Sequence, residues 1–238
     1  MIGNHCVILA GGLGTRLIEI TAGAKPKALV EIGGIPFLHF KLLSLIQMGF
    51  TSVDVLVGQH GDQIGQFLQD SDYHSIKIRC YSDGPDLLGT AGAIASILHH
   101  LPATFWVSYA DSYLLTDIEH ANRKFDNEEE SVMVVLHNQD RIETSNVSID
   151  ETRGYVTCYV KNAPRGTHEW IDYGITRFAK SSFQFVARDK PADLSEVVVD
   201  QIRANRMRAF TTNETFWDIG TPDRLSLTTQ EFRRRGWI

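Results

Sequence analysis

The stretch that most restricts this chain is an apolar run that empties directly into glycines. Cys6-Val7-Ile8-Leu9-Ala10 is followed at once by Gly11-Gly12-Leu13-Gly14-Thr15-Arg16, and Pro26-Lys27 comes ten residues after Arg16. A short apolar run bounded in this way predicts a buried strand. Three glycines in four positions predict a loop at its C-terminal end, where the backbone can take positive φ and a ligand can approach closely. Successive loop N–H groups form a concavity for anions, and a helix beginning near Thr15 would add its positive end. Arg16 offers a forked cation for phosphate oxygens and Lys27 a point charge. The chemistry of the stretch points to a polyphosphate.

Two other glycine loops fit badly. The GxxxxGK[ST] phosphate loop needs a Lys-Ser or Lys-Thr that is absent, and the dinucleotide pattern GxGxxG takes Gly12 and Gly14 but meets Leu17 at its last position. What remains, GGxGTR followed by Pro-Lys, resembles the signature of the sugar-1-phosphate nucleotidyltransferases. A tight strand-to-helix turn without a ligand explains a lone glycine loop equally well; Arg16 and Pro26-Lys27 at the family spacing weigh against it.

The rest of the chain repeats a strand–helix rhythm. Ala28–Ile32 reads as a short extended piece turned by Gly33-Gly34, and Pro36 opens an apolar helix that Gly49 ends. Strands are expected over 53–57, 76–81 and 105–110, with helices over 62–69 and from Gly89 to about His99. This order implies an α/β fold with a Rossmann-like, three-layer, mostly parallel central sheet and helices on both faces. Ligands in such sheets bind at the carboxyl ends of the strands, where the glycine loop lies. After a helix from Asp117 through Phe125 and a strand over 131–136, the rhythm changes. Short β-rich pieces at 146–149, 155–160 and 170–171 suggest a small antiparallel or mixed extension for a second substrate. An amphipathic helix over 194–205, strand-like pieces at 207–210 and 216–217, and a closing helix from Pro222 to about Arg235 complete a single domain over 1–238. Its nucleotide-binding part covers about 1–130 and its sugar-binding part about 131–238.

The family resemblance extends over nearly the whole chain and carries roles to matching positions. It implies nucleotide binding by Leu9, Ala10, Gly11, Gly12, Gly14 and Thr15, with Arg16 and Lys27 as the catalytic cations. Leu88-Gly89-Thr90-Ala91-Gly92 resembles the nucleoside-binding segment, which implies that Gly89 and Thr90 meet base or ribose; a capped helix packed closely on the sheet is the other reading. Asp111 ends the 105–110 strand, a position suited to Mg²⁺. The family places a glycine before this aspartate, where this chain has Ala110, whose methyl group would crowd a nucleotide. Trp217-Asp218-Ile219-Gly220-Thr221-Pro222 resembles the segment that supplies the second metal ligand, so Asp111 and Asp218 are expected to flank one Mg²⁺. Lys161 stands where family members meet the sugar phosphate, although as a strand-end lysine it also reads as surface. Trp170–Ile175 resembles the sugar-binding strand, with Asp172 accepting from sugar hydroxyls and Gly174 leaving room for the ring.

The resemblance implies transfer of a nucleoside monophosphate from a nucleoside triphosphate to a sugar 1-phosphate, with release of pyrophosphate. The short chain and the LGTAGAI and DSYL segments look most like heptose- or mannose-1-phosphate guanylyltransferases, which favours GTP and supply of a GDP-sugar for surface polysaccharide. Uridylyl- and cytidylyltransferases of the same fold, and a regulatory subunit that binds nucleotide sugar without turnover, are the alternatives. A dehydrogenase is disfavoured by the missing third glycine.

Composition narrows the partners. The net charge of −6 lacks the basic face that nucleic acid requires. No run approaches the ~20 apolar residues of a membrane span, and the N-terminus lacks a signal-peptide pattern. Cys6, Cys80 and Cys158 form no CxxC pair, and Cys6 and Cys80 read as buried free thiols of a reducing compartment. The expectation is a cytoplasmic protein whose partners are nucleoside triphosphate and sugar 1-phosphate; the sequence allows a homo-oligomer without specifying one.

Overall fold

The structure, a computed structural model, describes residues 4–12, 15–17, 21–84, 86–139 and 141–238, without the Thr15 side chain. Its strands are β1 (His5–Leu9), β2 (Glu31–Ile32), β3 (Ile35–Pro36), β4 (Ser52–Val57), β5 (Lys77–Ser82), β6 (Thr104–Tyr109) and β7 (Ser112–Tyr113). They continue with β8 (Ser131–His137), β9 (Val147–Asp150), β10 (Tyr155–Tyr159), β11 (Trp170–Ala179), β12 (Met207–Thr212) and β13 (Trp217–Asp218). The helices are α1 (Phe37–Gln47), α2 (Gly61–Asp70), α3 (Gly89–Ser96), α4 (Ile118–Lys124), α5 (Leu194–Arg203) and α6 (Pro222–Arg234). The α/β class read from the sequence is the one observed. No helix among the described residues is long and apolar enough to cross a membrane.

Two compact units emerge. One consists of Cys6–Leu87, Ser108–Leu115 and Phe216–Ile238. Its strands run in the order β5-β4-β1, and β4 and β5 are parallel, with Asp54 opposite Arg79. Every residue of β1 is buried, as expected for a strand covered on both faces. Asp54 is also fully buried on β4, where the Arg79 fork donates to both of its oxygens at 2.6 and 2.8 Å. Cys80 departs from expectation: it is exposed, because β5 is the end strand and none of its residues is fully buried.

The expected extended piece over 28–32 is also shorter than read. Residues Lys27–Leu29 form a 3₁₀ turn instead, closed by Leu29 N–H to Pro26 C=O at 2.9 Å and Val30 N–H to Lys27 C=O at 3.1 Å. Proline at −62° presets that turn, so only Glu31–Ile32 is left as strand. Leu17, Val30, Ile32, Phe37, Phe40, Tyr113, Ile219 and Phe232 then pack into one buried cluster. The Phe232 ring stands edge-on to Phe40 at 5.0 Å and to Tyr113 at 5.3 Å. Through this cluster the 113 and 219 segments are pinned to α1, and β7 and β13 pair antiparallel with Asp218 opposite Ser112.

The other unit consists of residues 4–5, Leu88–Val107 and Thr116–Thr215. Its strand order is β6-β11-β8-β12-β10-β9, with β8 parallel to β12 and antiparallel to β11. The mixed extension read from the sequence is present, but its third strand is longer than expected, running from Trp170 to Ala179. The register between β11 and β8 slips between Asp172 and Thr176. That bulge breaks the alternation that would have betrayed the strand. Gly174 sits in it at φ +91°. Further along, buried Arg177 donates to the Phe125 carbonyl at 2.6 Å and to Asn122 Oδ1 at 3.2 Å. Burial lowers its pKa to about 10, so it stays charged at neutral pH.

Candidate functional site

In the first unit the predicted phosphate-handling residues converge. Two backbone hydrogen bonds fix the end of β1: Ala10 N–H donates to the Leu56 carbonyl at 2.8 Å, and Ala110 N–H to the Leu9 carbonyl at 3.1 Å. The second carries Asp111 to the start of the glycine loop. Gly11 lies backbone against backbone with Gly58, since a Cβ on Gly58 would stand 3.0 Å from the Gly11 carbonyl oxygen and 2.8 Å from Leu87 Cδ2. Gly12, by contrast, is exposed and faces open space, which leaves its backbone approachable. Gly14 and the Thr15 side chain lie outside the described residues. Thr15–Leu17 form a 3₁₀ turn, and Arg16 is exposed on it.

Lys27 and Asp111 meet as an ion pair of 2.5 Å, Nζ to Oδ2. Their side chains are 13% and 32% exposed, so the pair sits at the surface of the core rather than within it. Asp111 and Asp218 are brought together by the β7–β13 pairing and by Ile219 N–H donating to the Asp111 carbonyl at 3.0 Å. Asp218 is buried. Its Oδ1 accepts from Gly220 N–H at 2.8 Å, and its Oδ2 accepts from Arg224 Nε at 2.8 Å and Nη2 at 2.7 Å. Thr228 Oγ1–H donates to the Asp218 carbonyl at 2.6 Å, fixing the strand from behind. A Cβ placed on Gly220 would lie 2.9 Å from Asp218 Oδ1, 3.7 Å from Lys27 Nζ and 3.8 Å from Arg16 Nη2. Glycine at 220 therefore leaves room for the carboxylate, with both cations at contact distance from the same point. Arg16, Lys27 and Arg224 together give three cations to two carboxylates.

The donor set suits an open Mg²⁺ site rather than a closed one. No group of three or more His, Cys, Asp or Glu ligands occurs among the described residues, so a closed protein cage is not on offer. Two neighbouring carboxylates are, with one Asp111 oxygen outside the Lys27 pair. Mg²⁺ is commonly held by one or two carboxylates together with substrate phosphates and water. The residues fit that habit.

The second unit gathers the remaining candidates. Gly89 has φ +68°, and a Cβ there would stand 2.6 Å from the Ala192 carbonyl oxygen. Thr90 Oγ1 accepts from Leu194 N–H at 2.8 Å, and Ala91 N–H donates to the Ala192 carbonyl at 2.9 Å. Both residues thus have a structural partner in the segment that leads into α5. Lys161 is exposed and pairs with Asp193. Asp193 also caps α5, its Oδ1 accepting from Ser195 N–H at 2.9 Å and from Ser195 Oγ–H at 2.6 Å. Partial burial raises the Asp193 pKa, but the bonds from Lys161 and Ser195 outweigh it and hold the carboxyl below its usual range. Asp172 Oδ1 accepts from Gly174 N–H across the bulge at 2.9 Å. The packing around Asp172 pushes its pKa up to about 6, with the Gly174 bond pulling the other way. Nearby Tyr159 is raised by burial first, then by the charges of Asp172 and Asp193.

Sequence reasoning missed Arg224 and Gly58. Arg224 follows the WDIGTP segment without a pattern of its own, and Gly58 declares itself only by lying against Gly11.

Comparison with known proteins follows from this geometry. A sequence profile described as nucleotidyl transferase matches residues 5–234. The D-glycero-alpha-D-manno-heptose 1-phosphate guanylyltransferase of Campylobacter jejuni is 28% identical over 219 residues, which cover 92% of this chain and 96% of that protein. The UTP–glucose-1-phosphate uridylyltransferase AglF of Haloferax volcanii is 25% identical over 92% of each. Among solved structures, HddC from Yersinia pseudotuberculosis complexed with GMP-PN gives a TM-score of 0.80 at 26% identity, over 96% of this chain and 99% of that one.

Proposed function

We propose that this chain, which belongs to the nucleotidyl transferase family, transfers the nucleoside monophosphate of a nucleoside triphosphate to a sugar 1-phosphate and releases pyrophosphate. GTP is the favoured donor and heptose or mannose 1-phosphate the favoured acceptor. The observation that carries this reading is the convergence of Lys27, Asp111, Asp218 and Arg16 around Gly220 beside the end of β1. A guanylyltransferase and a structure holding GMP-PN among its relatives support the base, although a uridylyltransferase stands at similar identity.

The reaction asks little covalent work of the protein. It needs phosphates held in line and growing negative charge met by fixed positive charge. In the proposed scheme the sugar phosphate oxygen attacks the α-phosphorus, and the bond to the β-phosphate oxygen breaks. The Gly11–Gly12 backbone and Arg16 hold the departing β- and γ-phosphates. Lys27 meets the charge that grows on the α-phosphate. Asp111 and Asp218 would hold Mg²⁺, which supplies Lewis-acid charge to phosphate oxygens when bound. Lys161 and Asp172 serve the acceptor, the first toward its phosphate and the second toward its hydroxyls, while Gly89 and Thr90 serve the nucleoside.

The test is pyrophosphate release in the presence of Mg²⁺, run with GTP, UTP, CTP, ATP and dTTP against a set of sugar 1-phosphates. Release confined to GTP with heptose or mannose 1-phosphate is the expected result. Release with another pairing overturns the base or sugar assignment and keeps the reaction. Nucleotide binding without release under any pairing overturns the catalytic reading.

A further inference from the structure

Asp218 has both of its oxygens engaged. Gly220 N–H holds Oδ1, and Arg224 places two nitrogens, Nε and Nη2, on Oδ2. The guanidinium is itself well placed to stay. Its side chain is only 16% exposed and lies 5.8 Å from the Phe216 ring centroid, and the Arg224 backbone is fixed in the first turn of α6, its N–H donating to the Thr221 cap Oγ1 at 3.3 Å. Asp111 is held by Lys27 through one oxygen, Oδ2. Each carboxylate has a resident cation, and a divalent ion approaching either one meets positive charge at contact distance.

We propose that Arg224 is a built-in counter-ion that keeps free divalent cation off Asp218 until phosphate arrives. The guanidinium must leave Oδ2 before that oxygen can be shared, and it leaves readily only when another anion receives it. A polyphosphate is such an anion, and a planar fork suits it. Arg224 therefore makes cation binding and phosphate binding cooperative, and it is a positioning residue in the free protein that becomes a phosphate contact in the loaded one. The inference rests on the proposed reading of Asp111 and Asp218 as metal ligands.

The experiment counts free Mn²⁺ by electron paramagnetic resonance over the full-length protein, alone and with inorganic pyrophosphate, and requires no turnover. With no phosphate present, Arg224→Gln is expected to bind Mn²⁺ about tenfold or more tightly than the wild type, since one full opposing charge beside the carboxylate has gone. Arg224→Met keeps the stem beside Phe216 and gives the same comparison should the glutamine variant fold poorly. Arg224→Lys restores the charge and is expected to return affinity toward the wild-type value, which loss of packing alone would not do. The enhancement of protein-bound Mn²⁺ by pyrophosphate should shrink in the glutamine and methionine variants. Equal Mn²⁺ affinity in wild type, Arg224→Gln and Arg224→Met overturns the proposal. Should Asp111→Asn and Asp218→Asn also leave Mn²⁺ binding untouched in the presence of pyrophosphate, the metal-ligand reading itself has failed. Should those two weaken it while the Arg224 variants change nothing, only the counter-ion role has failed.

Discussion

Lys27 and Asp111 are 84 positions apart in the chain and 2.5 Å apart in space. The lysine enters from a turn preset by Pro26 and the aspartate from the loop after β6. In the proposed mechanism an ammonium already paired with a carboxylate beside the glycine loop needs little rearrangement when charge develops on phosphate. Lys27→Ala is therefore expected to lower turnover on the order of a hundredfold or more, as removal of one preorganised charge does. The melting temperature should move little, because the pair is partly solvated. Steady-state pyrophosphate release, with a thermal scan beside it, checks both halves; near-normal turnover would remove Lys27 from the mechanism.

Gly220 makes a sharper steric test. Its missing side chain leaves room for Asp218 Oδ1, while Lys27 Nζ and Arg16 Nη2 lie at ordinary contact distance from the same point. A methyl group there would stand 2.9 Å from the carboxylate oxygen, inside normal contact, and the carboxylate would have to rotate away from Gly220 N–H. Gly220→Ala is expected to cost roughly a hundredfold in kcat, the scale of a 1 Å misplacement at a reacting centre. The fold should survive, since the strain falls on one side chain. Circular dichroism unchanged beside a large loss of kcat is the expected pattern, and wild-type kcat would show that Asp218 has room to spare.

How much of this was legible beforehand depends on whether a residue acts locally or through a distant neighbour. The glycine loop, Lys27 and the strand-end Asp111 were legible because β1 and the strand–helix rhythm announce where the strand ends and which charges gather there. Arg224 was not, since its contact with Asp218 depends on the turn at Gly220 that folds the first turn of α6 back toward the strand. Residues 28–29 were read as extended because Ala28–Ile32 looks like one largely apolar run, whereas the turn set by Pro26 takes its first two residues. β11 was cut short by the Gly174 bulge, which hides a strand from any period-two pattern. Gly89 and Thr90 carry a further lesson: a GT pair at a helix entry signals close approach of something, and sequence alone does not reveal that Ala192 and Leu194 are there.

That contact is testable as stability. Gly89 combines φ +68° with a Cβ position 2.6 Å from the Ala192 carbonyl oxygen, so alanine there is strained both in backbone and in space. Gly89→Ala is expected to lower stability by about 1–3 kcal/mol, the range for a non-glycine residue forced into such a conformation. Thermal denaturation of the two proteins at one pH checks it. A melting temperature within a degree of wild type would mean that the Ala192 segment gives way freely.

Lys41 supplies the last prediction, and its sign follows from linkage. The side chain is fully buried on α1, with Nζ donating to Ser108 Oγ at 2.7 Å. Burial lowers its pKa from 10.5 to about 8, while the Cys6 thiol and the Asp111 carboxylate pull it back up. Below about pH 8 both the folded and the unfolded chain carry the proton, so the full cost of the buried charge is present at neutral pH. Between about pH 8 and 10.5 the unfolded chain holds a proton that the folded chain has lost, so this residue's contribution to stability improves as pH rises. Lys41→Met removes the charge at similar length and loses one hydrogen bond to Ser108. The net gain at pH 7 is expected to be about 2 kcal/mol, from a fall of the pKa from 10.5 to about 8 worth about 1.4 kcal/mol per unit, less roughly 1 kcal/mol for the hydrogen bond. That corresponds to a rise of a few degrees in melting temperature for a chain of this size. The measurement is the difference in melting temperature between Lys41→Met and wild type from pH 7 to pH 10. A difference that shrinks as pH rises fits the buried ammonium. One that stays constant would mean that Lys41 keeps its proton throughout, and one of opposite sign would mean that the bond to Ser108 outweighs the cost of burial.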